Sequence, residues 1–181
     1  MSKPSSGLFE GTPGETAFYG DAEAVIAERA RGLDLTPHPI QRKELSTKKR
    51  REIRKRIENR TASRKEYEAY KWDRRFRKRR RKATDDFWSE EAKLLAQGLR
   101  GTRNWSESDR LLILSGKTLK WNGKSYELHH AYAAKLYPQL ANRWQIIFPA
   151  THYEHHQGWH GGNYRKSLPG RRIRRINETG R

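Results

Sequence analysis

The sequence predicts an α+β protein: a mostly helical N-terminal region, then a compact strand–loop–strand–helix segment. Three observations carry this expectation. Helix-capping residues recur at Ser46, Ser63, Thr84 and Ser106. Asn122-Gly123, set between TLKW and KSYEL, has the turn chemistry of a two-residue β-hairpin. Finally, six of the seven histidines fall between Leu128 and His160.

Composition narrows the function before any motif does. The 181 residues suffice for one ordinary domain, or a small domain with an appendage. Hydrophobic content is 33% and charged content 34%, which predicts a modest core and some segments that are exposed or ordered only by a partner. A net charge of +19 favours polyanions, nucleic acid first and acidic proteins or anionic lipid second. No apolar run is long enough to span a bilayer, so no membrane insertion is expected. MSKPSSGLFEGTPGE has no apolar stretch after its lysine, so no secretory signal peptide is expected. With no cysteine in the chain, any metal must be held by nitrogen or oxygen.

Three regions follow along the chain: a flexible tail or linker (1–20), a basic helical region (21–103) and a third region (104–181). A first helix over DAEAVIAERARG takes Asp21 as N-cap and Gly32 as stop, and Pro37 and Pro39 break the chain after it. From Arg42 to Lys82 there are 21 Lys or Arg against 6 Asp or Glu. Within this stretch Ser46 caps KKRREIRKRIENR, with Ile53 and Ile57 four apart. Ser63 and Glu66 form a capping box ahead of Tyr67, Tyr70, Trp72 and Phe76, and that helix ends in RRFRKRRRK. A separate helix is expected from Thr84 to Gly98 and another from Ser106 to Gly116. Their Phe87, Leu94, Leu95, Leu111, Leu112 and Leu114 are expected in the core.

The pattern then turns to strands. The hairpin's second arm delivers the chain to His129-His130, AYAAKLYPQLA is broken by proline, and NRWQIIFP suits a buried strand. Thr151 and Glu154 form another capping box, opening a short helix over HYEHHQGWH that Gly161-Gly162 ends. On a regular helix His152 and His156, or His156 and His160, share a face. His155 and His160, five apart, point about 140° apart, and converge only if the helix loosens near Gly158 or Gly161. Neighbours on a strand face opposite ways, so His129 and His130 divide the labour, one binding an ion and the other moving a proton.

ELHH (127–130), Asn142, Pro149-Ala150-Thr151 and EHHQGWHGGNYR (154–165) stand behind the lead-in NWSESDRLLILSGK (104–117). Together they resemble the ββα-metal fold of HNH nucleases. More narrowly they resemble the GHH-signature HNH/Endonuclease VII-like toxin domains of bacterial polymorphic toxins, over roughly residues 104–170. Leu128 departs from the signature, which has Gly before the histidine pair.

The resemblance implies that His129 is a metal ligand, His130 the general base and Asn142 the residue fixing the loop beside the base. Further ligands are expected from His155, His156 and His160, with His152 an alternative of better helical spacing. Arg143 or Arg165 can clamp the phosphate, and nitrogen-rich ligation suits one divalent ion, Zn, Ni, Mn or Co, with Mg reached through water. Contacts to nucleic acid are expected from Arg74, Arg75, Arg77, Lys78, Arg79, Arg80, Arg81 and Lys82. The expected function is a metal-dependent DNase of slight sequence preference, with RNA the second candidate target. It would be a secreted bacterial effector acting in the target-cell cytoplasm, neutralised at home by an acidic cognate immunity protein. The competing expectation is a non-catalytic basic nucleic-acid binder with a structural zinc site.

Overall fold

A computed structural model of the protein describes residues 22–176, so the 1–20 tail and the Asp21 cap lie outside the described residues. Among the described residues the chain is α+β, with four α-helices leading into short strands. They are α1 (Ala22–Arg29), α2 (Thr47–Glu58), α3 (Arg64–Ala96) and α4 (Glu107–Leu114). The strands are β1 (Lys120–Trp121), β2 (Lys124–Ser125), β3 (Glu127–His130) and β4 (Ile147–Ala150). The last helical element is a π-helical turn, Glu154–Trp159, here called the histidine helix. No described helix is long and apolar enough to cross a membrane.

The caps at Ser46, Ser63 and Ser106 form as the sequence predicts, each hydroxyl accepting a backbone N–H three residues on. Thr84 does not cap. A single α3 runs through it for 33 residues, about 50 Å at the helical rise, and the Thr84 hydroxyl donates to Arg81 O at 2.7 Å. The helix continues because one buried stripe does: Asp73, Phe76, Ala83, Phe87, Glu91 and Leu95 all face inward. It stops where expected, at Gly98 (φ 77), in a Schellman arrangement. Gly98 N donates to Leu95 O and Leu99 N to Leu94 O.

Leu111 and Leu114 are not core. They are 63% and 45% exposed, because the single buried stripe of the short α4 is carried by Ile113.

Asn122 and Gly123 both have positive φ (47° and 76°), the conformation of a type I′ turn between β1 and β2. β3 pairs antiparallel with β4, Glu127 opposite Ala150 and His130 opposite Ile147. Alternation along these two strands gives the pair two faces. His129 and Phe148 face a core that includes Trp159 of the histidine helix and Ile26 of α1. Leu128 and Ile147 face Ala83 and Phe87 of α3. The strand pair is thus held between α3 and the histidine helix, which decides where each histidine points.

Candidate active site

His129 lies on the inner face of β3, 4% exposed, its ring stacked on Trp159 at 4.6 Å between centroids. Its Nε2 is buried and has no hydrogen-bond partner. The His155 and His160 rings each lie within 4.9 Å of it, and ligand nitrogens of the three lie within 4.8 Å of one another. This is the one such group among the described residues.

His155 and His160 converge although they are five residues apart. The backbone between them is π-helical, with His160 N donating to His155 O at 3.1 Å, which brings residues five apart onto one face. A remote segment supports that geometry. Ile173 N and Arg174 N both donate to Gly158 O, at 2.9 and 3.0 Å. Gly161 (φ 57) lies against Ile173, where a Cβ would come within 2.8 Å of its Cγ2. Upstream the helix is anchored by the predicted capping box, Thr151 N to Glu154 at 2.8 Å and Glu154 N to Thr151 Oγ1 at 3.2 Å. Buried Arg103 grips Glu154 with two bonds, at 2.6 and 2.8 Å.

The partners of the rings fix their tautomers. His155 Nδ1 donates to Glu127 Oε2 and His160 Nδ1 donates to Lys166 O at 2.7 Å. Each Nε2 is therefore the lone-pair nitrogen, and these two lie 3.1 Å apart. Two lone pairs at that separation repel unless a shared electrophile lies between them. With the orphaned His129 Nε2 beside them, the donor set fits a divalent metal. Carboxylate and carbonyl partners on the far nitrogens are what metal-bound histidines use to hold their orientation.

Electrostatics favour the neutral forms of His129 and His155. Burial, with the neighbouring His155, His160 and His130, lowers His129 well below the ordinary imidazole range. Burial also lowers His155, and the Glu127 bond opposes it. Burial acts to raise Glu127, but hydrogen bonds from His155 and His152 outweigh it and hold the carboxyl below its usual value.

His130 faces the other way, into a cleft of about 270 Å³ whose walls include Glu44, Arg77, Arg80, Arg81 and Thr84. Burial and the Arg80 guanidinium push it down to about 4, so it is neutral at physiological pH. Its Nε2 lies 3.4 Å from the Ala141 carbonyl. Asn142, in the same turn, accepts from Arg79 Nη2 at 2.7 Å, and the same nitrogen donates to Gln139 O at 2.9 Å. Arg79 and Asn142 thereby tie the turn beside His130 to α3.

The remaining candidates are spread more widely. His156 is outside the three-histidine group; its Nδ1 meets the Gln157 side chain at 3.0 Å and its ring lies on Tyr164 at 4.8 Å. His152 meets Glu127 Oε1 at 2.8 Å, so Glu127 ties it to His155. Arg143 and Arg165 are exposed. On α3, Arg74, Arg75, Arg77, Lys78, Arg79, Arg81 and Lys82 are exposed, Arg80 is half-buried and paired with Glu44 at 2.7 Å, and Lys82 meets Asp86 at 2.8 Å. Two of these cations, Arg79 and Arg80, already hold the fold together.

Sequence reasoning missed Glu127, Tyr164 and Trp159. Glu127 is two residues before His129, and period-2 alternation was the signal that it shares the ligand's face. Tyr164, 51% exposed, has its ring within 5.5 Å of those of His155, His156 and His160. Replacing Glu127 by Gln should weaken metal binding about 10- to 100-fold by titration calorimetry, the usual loss when such a partner goes. Unchanged affinity would mean that Glu127 does not orient a ligand.

Residues 70–150 match a family model, Tox-GHH, described as a GHH signature containing HNH/Endo VII superfamily nuclease toxin. The match begins inside α3 and ends with β4, earlier at both ends than the 104–170 span expected from the motifs. It takes in His129, His130 and Asn142, while His155 and His160 join the site through the folded geometry alone. No curated protein and no solved structure matches the chain. With a strand tip bearing the histidine pair and a cluster able to hold an ion, residues 70–150 are similar to the nuclease toxin domains of the GHH-signature HNH/Endo VII superfamily.

Proposed function

We propose that the protein is a divalent-metal-dependent DNase. The observation that carries this reading is the three-imidazole group at His129, His155 and His160, with neutral His130 adjacent in the chain. A closed structural zinc takes four protein ligands, whereas a catalytic ion takes three and leaves a position for water or substrate. The described residues bring together three, which favours hydrolysis over a purely structural zinc. Imidazole ligation suits Zn, Ni, Mn or Co, and Mg through added water and phosphate oxygens. A divalent ion bound there supplies charge stabilisation for the phosphoryl and leaving oxygens.

The chain's own residues supply the rest. His130 accepts a proton from water as the water oxygen bonds to phosphorus and the bond to the 3′ oxygen breaks. Asn142 holds the turn next to His130 through Arg79. Arg143 or Arg165 clamps the phosphate, and exposed cations of α3, Arg74, Arg75, Arg77, Lys78 and Arg81 among them, hold the flanking backbone. Backbone contacts of this kind carry little sequence information. Residues 104–181 form the nuclease region, and 21–103 the basic helical region that feeds it. In this reading the protein is a secreted bacterial effector acting in the target-cell cytoplasm, and its charge of +19 calls for an acidic immunity protein.

The test is incubation with plasmid DNA and with total RNA, with and without chelator. Cleavage of DNA that stops on chelation and returns with a divalent ion is the expected result. Degradation of RNA alone would replace the substrate, and no cleavage with Mg, Mn, Ni, Co or Zn would leave a nucleic-acid binder.

A further inference from the structure

α3 carries a second basic site far from the histidines. At its N-terminal end a cavity of about 400 Å³ is lined by Arg42, Arg64, Tyr67, Lys71, Trp72 and Arg75. Tyr67 is 46% exposed, and the Lys71 ammonium lies over its ring at 5.4 Å. The one carboxylate in the lining, Glu68, is engaged by Arg64 at 3.0 Å. Trp72 is stacked on buried Phe76 at 4.7 Å, which makes that wall rigid.

An exposed tyrosine ring among four cations is unsuited to a purely apolar ligand. It matches a group with both an aromatic face and a negative charge, as an unpaired nucleotide has. The placement matches too. Tyr67 and Arg80 are thirteen residues apart on one helix, so the cavity lies roughly 20 Å along α3 from the His130 cleft. Arg74, Arg77 and Arg81, at i, i+3 and i+7, connect the two along one side of the helix.

Building on the nuclease reading, we propose that this cavity is an exosite for a single-stranded stretch of the substrate. An unpaired base stacks on Tyr67, its phosphate meets Arg42 and Lys71, and the strand runs along α3 to the cleft. The site rewards substrates long enough to reach it.

The test compares tetranucleotide and 24-nucleotide single strands. A tetranucleotide covers about 10 Å when stacked, too short to span both sites. The parent should show a KM about tenfold lower for the 24-mer. The triple variant R42Q/Y67A/K71Q should raise the 24-mer KM about tenfold, leaving kcat and the tetranucleotide KM unchanged. The conservative variant R42K/Y67F/K71R should behave as the parent does. An unchanged 24-mer KM in the triple variant overturns the exosite, and so does an equal rise for both lengths, which marks diffuse charge. If the parent cleaves neither strand with any divalent ion, the plasmid assay decides the nuclease reading separately. Fluorescence anisotropy with the same strands then decides the exosite: a tenfold weaker Kd for the 24-mer alone supports it, and equal Kd values overturn it.

Discussion

His130→Ala should lower the rate of plasmid cleavage by about 10²- to 10⁴-fold, the range for loss of a general base, while metal affinity stays at the parent's value. The two readouts separate because β3 separates the residues. His129 faces the histidine helix, and His130 faces the α3 cleft. Burial and Arg80 keep the His130 ring neutral and able to take a proton at physiological pH. Initial rates on supercoiled plasmid, with titration calorimetry of the metal, read both halves. A variant within tenfold of the parent removes His130 from the role of base. A variant that loses the metal as well makes His130 part of the binding site.

Arg103→Met should destabilise the protein by about 3–5 kcal/mol, a fall in Tm of roughly 10 °C by thermal unfolding. Arg103 and Glu154 are both buried, at 6% and 2% side-chain exposure, and joined by two short bonds. Removing the guanidinium leaves a carboxylate without its cation in the core, where an unpaired charge costs most. The guanidinium also packs over the Tyr126 and Phe148 rings, at 5.3 and 5.7 Å. The double variant R103M/E154L, which removes both charges, should recover much of the loss. Because Glu154 also caps the histidine helix by accepting from Thr151 N, both variants should bind metal more weakly than the parent. A single variant that melts with the parent would show that the pair contributes nothing to stability.

The parts of this molecule that were legible in the sequence are those decided by a few neighbouring residues. Ser46, Ser63-Glu66, Ser106, Asn122-Gly123 and Thr151-Glu154 all do what their local chemistry dictates. Thr84 failed for the opposite reason. Its hydroxyl suits a cap and a helix interior alike, and the stripe through Ala83 and Phe87 decided between them. That His129 and His130 face opposite sides of their strand was legible. The convergence of His155 on His160 was not, because it rests on Gly158 O being engaged by residues fifteen or more positions downstream. Nor was the use of Arg79 and Arg80 as internal ties, since a run of cations does not reveal which members have found partners.

The single π turn is equivalent to an α-helix that has absorbed one extra residue. Deleting Gly158 would set the two flanking imidazoles four apart, a spacing an ordinary helix also stacks on one side. The pair itself would survive such a deletion, but the passing segment at Ile173 and Arg174 would lose the carbonyl on which it is moored. The inserted residue therefore serves as a hitch for Ile173 and Arg174, and removing that segment would loosen the imidazoles from a distance.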